Sequence, residues 1–314
     1  SPWVATSKGL AHYNGTGVTI LKQADGLSGD AVSSVTVKNG KVYATLTGFV
    51  NVIDGANITH LRNEYMSTSS FIQVDDDESI WVGGYGWGLQ KYNASTGWQY
   101  VKQNFFGDNF VFGYPVFDMK QDSQGTTWLG TRWGLLKYKD EPFPFTTPPV
   151  VYNTFDGLPA NDVFKILKDN RGNMWFPTYI NGLSKYDGQT WAWTTQTLPF
   201  ETSIWLQNTT AAYIAKNGDL WLGGAGGASK SSDGETWESF LSVIYTNDPR
   251  AVLNMANVLA FAEDTAGNIW AGGVGWEGVD MGLSKYDGEQ WTTLREADGL
   301  QGKYINTLFG DSKG

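Results

Sequence analysis

The chain has no cysteine, which excludes disulfides, thiol catalysis and cysteine-ligated metals. Histidine is nearly as scarce. His12 stands in "GLAHYNG", where comparable stretches carry Lys, and His60 stands in "NITHLRN". Neither falls on the loops singled out below, so a histidine-based lyase, hydrolase or metal site is not expected. No run of about 18 apolar residues occurs, so no membrane-spanning helix is read. Cations are few as well. The 22 Lys and Arg face 32 Asp and Glu, a net charge of −10. Binding to a phosphate backbone needs clustered Lys and Arg, so nucleic acid is not an expected partner. The first residues, "SPWVATSKGL", lack the basic start and apolar run of a signal peptide, and the chain reads as a mature or excised domain.

What abounds is glycine and aromatics: 39 Gly, 15 Trp, 15 Tyr and 16 Phe. With β-branched residues they predict many short strands joined by tight turns. The phrase D-x-x-G-N-x-W-x-G-T…G-L-x-K-Y-D-G-x-x-W recurs along the sequence. Its apolar anchor falls at Trp3, Val42, Trp81, Trp128, Trp175, Trp221 and Trp270, with spacings of 39, 39, 47, 47, 46 and 49. Joining the terminal "FGDSKG" to the opening "SPW" completes a seventh copy. A unit of 40 to 50 residues with four strand-like runs is a β-propeller blade. In one unit the runs are 162–169, 173–178, 182–187 and 190–195. The expected fold is all-β: a seven-bladed β-propeller of four-stranded antiparallel blades, residues 1–314 forming one domain. Its last blade is closed by a C-terminal innermost strand and three N-terminal outer strands, which removes an open sheet edge.

The units resemble the two-component regulator propeller repeat. The residues carrying the resemblance are "DNRGNMWFPTYINGLSKYDGQTW" (Asp169 to Trp191), "DTAGNIWAGG" (Asp264 to Gly273) and the Asp-Gly-Leu phrases at Asp25, Asp156 and Asp298. That family is known from periplasmic sensor regions of bacterial hybrid histidine kinases and from exported proteins. The resemblance therefore implies an extracytoplasmic setting (periplasmic, cell-surface or secreted) and a recognition role. "SSDGETW" (Ser231 to Trp237) comes near an Asp-box but is the same turn as "YDGQTW" and "YDGEQW".

Ten of the fifteen Trp follow the repeat: six at the anchor and Trp98, Trp191, Trp237 and Trp291 on the fourth strand. They are expected between blades. Trp193 lies on the same strand as Trp191. Trp87, Trp133 and Trp276 instead fall in loops between the second and third strands, as do Tyr85, Tyr179 and Arg132, while Phe105, Tyr114 and Trp205 fall in loops linking successive blades. In a propeller these two loop classes share one face, so aromatics and polar groups are expected to gather there, a combination suited to sugar rings. The bland alternative is that these rings plug the channel or pack between loops. In "WAGGVGWEGVDMGLSKY", Trp276 is expected to stack on a ligand, with Glu277 and Asp280 accepting hydroxyl hydrogen bonds or pairing with Arg132.

Catalytic equipment is sparse. Two carboxylates flanking a glycosidic bond would have to come from loop residues such as Asp108, Glu201, Asp248, Glu277 and Asp280. The run "DDDES" (Asp75 to Ser79) lacks the spaced oxygen ligands of an EF-hand and reads as a solvated turn. "GGYGWG" and "GGAGGA" lead from strand to strand and open no helix, so no phosphate cradle is read. No cofactor and no metal site are expected. The reading is a non-enzymatic recognition propeller for a carbohydrate or small polar ligand, alone, within a longer chain or as a homo-oligomer. The alternatives are a glycan-active enzyme using two loop carboxylates, or an assembly protein meeting a protein partner through the same face.

Overall fold

The computed structural model of the chain describes residues 2–14, 16–86, 88–100, 115–139, 143–145, 148–180, 182–194, 208–244, 251–275, 282–300 and 304–310. These build seven four-stranded antiparallel sheets, the blades of the expected seven-bladed β-propeller. Blade 1 spans residues 32–62, blade 2 66–100, blade 5 209–241 and blade 6 257–295. Blade 3 consists of Val116–Gln121, Thr127–Thr131, Gly134–Tyr138 and Val150–Tyr152. Blade 4 consists of Leu167–Lys168, Met174–Pro177, Leu183–Tyr186 and Trp191–Thr194. Blade 7 joins the C-terminal strand Ile305–Gly310 to the N-terminal strands Pro2–Thr6, Gly9–Tyr13 and Val18–Leu21, in the order expected. Contacts group the chain into two compact units. One comprises residues 1–46, 51–60 and 197–314, the other residues 47–50 and 61–196. Among the described residues no helix is long and apolar enough to cross a membrane.

Each repeat anchor lies on the second strand of its blade. Where the anchor is Trp, its ring contributes to the core, as when Trp128 packs with Leu158, Val163, Ile166 and Phe176 of the following blade. The Asp six residues earlier explains the rest of the phrase. Its carboxylate accepts the indole N–H in Asp75–Trp81 (2.6 Å) and in Asp122–Trp128, Asp169–Trp175 and Asp264–Trp270 (each 3.0 Å). In the last three it also accepts backbone N–H groups two and four residues on, closing the hairpin. The third-strand Lys covers the other face of the ring: Lys91, Lys137 and Lys185 lie 4.7, 4.8 and 4.9 Å from the Trp81, Trp128 and Trp175 rings. Such cation–π contacts contribute about 0.5–1 kcal/mol each when exposed. His12 takes the Lys position in blade 7 and stacks on Trp3 at 4.2 Å. "DDDES" is therefore more than a solvated turn: Asp75 holds Trp81, and Asp77 accepts both the backbone N–H and the hydroxyl of Ser79.

Two local features refine the sequence reading. The first strand of blade 4, expected over 162–169, keeps a ladder only at Leu167–Lys168, with a single bridge from Val163 to Thr178. Pro177 stands where blade 3 has Gly130, and a residue without N–H gives the ladder no bond there. The tight first hairpin of blade 1 contributes to the short spacing before Val42. It turns through Asn39 and Gly40, both at positive φ (52° and 79°), the two-residue turn that Asn-Gly favours.

Two substitutions test this framework. A Cβ at Gly130 would lie 2.6 Å from the Val163 carbonyl oxygen, and backbone has little room to yield. Gly130→Ala is expected to cost about 1–3 kcal/mol, read from urea unfolding. Asp169→Ala leaves the Trp175 indole N–H without its acceptor and is expected to cost about 1–3 kcal/mol. Acid should act on the same turns. Burial pushes Asp169 up, but hydrogen bonds from Trp175, Asn173 and Arg171 outweigh it and hold the carboxyl below its ordinary value. In Asp187, bonds from Thr190 and Gln189 lower it from 3.8 to about 2. A lowered carboxyl stabilises the fold above its unfolded value, and that contribution disappears as pH falls through the folded one. The melting temperature should therefore hold near neutrality and fall between pH 3.8 and about 2.

Candidate functional site

The Trp128-bearing strand ends at Thr131, whose hydroxyl donates to the Gly134 carbonyl (2.7 Å) and accepts from the Trp133 N–H (3.1 Å). Gly134 follows at φ +129°, where a Cβ would meet the Tyr152 carbonyl oxygen at 2.3 Å, so glycine alone fits. The two-residue turn Arg132–Trp133 is thereby pinned at both ends. Blade 7 has the same pinning by Thr6, but its turn carries Ser7–Lys8. The scaffold does not require Trp133, and its ring is half exposed (51%).

In blade 4 the Thr178 hydroxyl donates to the carbonyls of Ile180 and Gly182, both at 2.7 Å. It holds a turn on which Tyr179 (40%) and Ile180 (38%) stand exposed. One segment draws the two turns together. The Val163 N–H donates to the Thr131 carbonyl (2.9 Å), and the Tyr179 N–H donates to the Asp162 carbonyl (2.8 Å). The Asp162 carboxylate approaches the Arg132 guanidinium at 3.9 Å. Trp133, Arg132, Asp162, Tyr179 and Ile180 thus form one patch within the second unit, on rigid turns.

Asp162 is pushed above the ordinary carboxylate value by burial, with Arg132 acting the other way. Arg132 and Asp162 are both substantially exposed, so the pair adds little to stability. Chemically the patch offers two ring faces, the forked donors of Arg132 and an acceptor. A second surface lies in blade 2, where Tyr65, Met66, Thr68, Ser69, Gly88 and Gln90 line a depression of about 200 Å³, open solvent included. Its edge is fixed by Asn63, which donates to the Gln90 side-chain oxygen and accepts from the Tyr65 N–H. It is smaller than most ligand clefts. Among the described residues no group of three or more His, Asp or Glu could hold a metal ion.

Of the residues marked from sequence, Arg132, Trp133 and Tyr179 meet in the patch. Tyr85 belongs to the strand Ile80–Gly86, paired with Thr68. Trp87, Phe105, Tyr114, Trp205, Trp276, Glu277 and Asp280 lie outside the described residues. Asp162 and Ile180 were not anticipated. The reading of strand over 162–169 includes Asp162, but the ladder holds only at Leu167–Lys168 and Asp162 lies in the linking segment. Arg132 finds its carboxylate partner there.

No known protein-family profile matches the chain, and no curated protein matches it in sequence. Solved structures do match. The chain resembles the extracellular domain of BT3049, named as a hybrid two component system of B. thetaiotaomicron, with 20% identity and a TM-score of 0.70 over 89% of this chain. This chain spans 36% of that one. It also resembles YCF48 bound to D1 peptide (16% identity, TM-score 0.59, 91% of this chain and 88% of that one). A third likeness is to the WD40 β-propeller domain of Doa1 (10% identity, TM-score 0.59, 85% and 83%). The resemblance drawn from the repeat is borne out at the level of fold.

Removing Arg132 should leave burial as the main influence on Asp162. In Arg132→Ala the Asp162 carboxyl is expected to titrate higher than in the parent, by carbon-detected NMR, while unfolding free energy changes by less than about 1 kcal/mol. An unchanged titration would show that the two side chains do not interact.

Proposed function

We propose that this chain is a non-enzymatic, extracytoplasmic recognition propeller that binds a carbohydrate on the patch of Trp133, Arg132, Asp162 and Tyr179. The observation that carries the reading is the Trp133 ring, exposed on a turn whose hydrogen bonds do not need it and next in the chain to Arg132, which approaches the Asp162 carboxylate. Sugar rings present C–H faces for stacking and hydroxyls for polar groups, and preformed turns lower the cost of ordering the site. The likeness to an extracellular domain of a two component system supports a sensor-type role outside the cytoplasm.

The test is a glycan array followed by calorimetry on the best ligand. Trp133→Ala is expected to weaken binding tenfold or more, about 1.4 kcal/mol, with an unchanged melting temperature. Equal binding by parent and variant would overturn the site.

The raised Asp162 carboxyl favours one second reading, a glycan-active enzyme. It would require another carboxylate about 5 to 9.5 Å away. Reducing-end release from polysaccharides that disappears in Asp162→Asn would put that reading in place of the first.

A further inference from the structure

Three Asp-Gly-Leu turns follow outer strands, and they are built alike. In each the Asp carboxylate accepts the N–H three residues earlier: Asp25 from Lys22 (3.0 Å), Asp156 from Asn153 (3.0 Å) and Asp298 from Arg295 (2.9 Å). The N–H of Leu27, Leu158 and Leu300 donates to the carbonyl five residues back, at 3.1, 3.1 and 3.2 Å, and each Leu side chain is buried. One position differs. Two copies carry exposed Ala24 and Ala297, whereas the third carries Phe155, whose ring is 98% exposed. The turn folds with a methyl group there, so the framework does not call for the ring.

The Phe155 copy follows blade 3, the blade that carries Trp133. Leu135 pairs with Tyr152, so the Arg132–Trp133 turn and the segment from Asn153 leave that blade at the same end. Gly134 shows how close they run: a Cβ there would lie 3.6 Å from the Asn153 Cβ. Adding the chain steps on either side bounds the Trp133 to Phe155 Cα distance at about 18 Å. The far side of the turn is tied to the patch as well. The Thr154 N–H donates to Asn161 Oδ1 (2.9 Å), and Asn161 precedes Asp162, the partner of Arg132. Blade 7 and its link have the same pinning Thr and the same turn, with Lys8 in place of Trp133 and Ala24 in place of Phe155. A lone surface ring needs no explanation. Two rings added together, at one end of one blade, point to a shared task.

We infer that Phe155 is a second stacking platform of the Trp133 patch, so that the ligand is a chain of linked sugar units. One unit lies on Trp133 and a later one on Phe155. At 98% exposure the Phe155 ring is not packed on Trp133, and the two rings offer separate faces. The residues around Phe155 are Asn153, Thr154, Asp156 and Gly157, polar or bare. They provide no contiguous apolar core for a protein interface and no basic cluster for an anionic membrane surface. An isolated ring among polar groups suits the C–H face of a sugar. The inference rests on the carbohydrate reading of the patch, and the test separates the two.

The test is a glycan array printed with cello-, xylo-, manno- and malto-oligosaccharides of one to six units, followed by calorimetry on the series that binds best. It uses the full chain and its Trp133→Ala, Phe155→Ala and Phe155→Tyr variants. The parent is expected to gain at least tenfold in affinity from the shortest saccharide bound to the hexasaccharide. Phe155→Ala should lose most of that gain and keep its affinity for the shortest saccharide within about twofold. It should also melt with the parent, because two sibling turns already carry Ala. Phe155→Tyr should retain the gain, and Trp133→Ala should weaken every length. If Phe155→Ala matches the parent at every length while Trp133→Ala binds weakly, the second platform is overturned and the patch stands. Equal weakening of short and long saccharides by Phe155→Ala also overturns it. If Trp133→Ala matches the parent, or no series binds, the carbohydrate reading falls and the second platform falls with it.

Discussion

Much of the fold turns on how an indole ring is held in a β-blade. In four blades the ring's N–H is given to a carboxylate six residues earlier, and a lysine from the next strand lies over its face in those blades and in blade 5. The large apolar surface packs into the core while its one polar atom is satisfied, which a buried Trp requires. The same carboxylate shapes the hairpin that presents the strand. Asp, Gly, Trp and Lys recur together because each answers a need created by the others. Where one is replaced, the neighbours adjust: His12 stacks in place of Lys, and Val42 follows a tighter Asn-Gly turn.

This coupling is why the blades were legible in the sequence. The seven anchors, the tight hairpins and the joining of the two ends in one sheet all leave a mark at fixed spacing. The departures from the pattern are less visible. Pro177 occupies a position where siblings hold Gly or Ala, and its effect on the strand beside it depends on which of its two sides needed an N–H. That partner lies in an adjacent strand, outside any local window. Asp162 was hidden because the position seven before the hairpin Asp is strand in some blades, as at Asn257, and linker in others, as at Pro115.

The candidate site was half legible. Trp133 stood out as a ring that repetition does not explain, and Arg132 came with it. What could not be read was the clamp: Thr131, Asp162, Val163 and Tyr179 exchange backbone hydrogen bonds across two blades and so turn two independent loops into one surface. Such bonds involve no characteristic side chain.

The central claim is that rigid turns hold an aromatic and charged surface ready for a sugar. NMR of the protein with the best oligosaccharide from an array, observing contacts between sugar ring C–H protons and assigned indoles, tests it most directly. Cross-peaks to the Trp133 indole and the Tyr179 ring, with little change in the backbone shifts of Thr131 and Val163, are the predicted result. A bound sugar that touches neither ring, or that binds only with large shifts in the clamp, would contradict it.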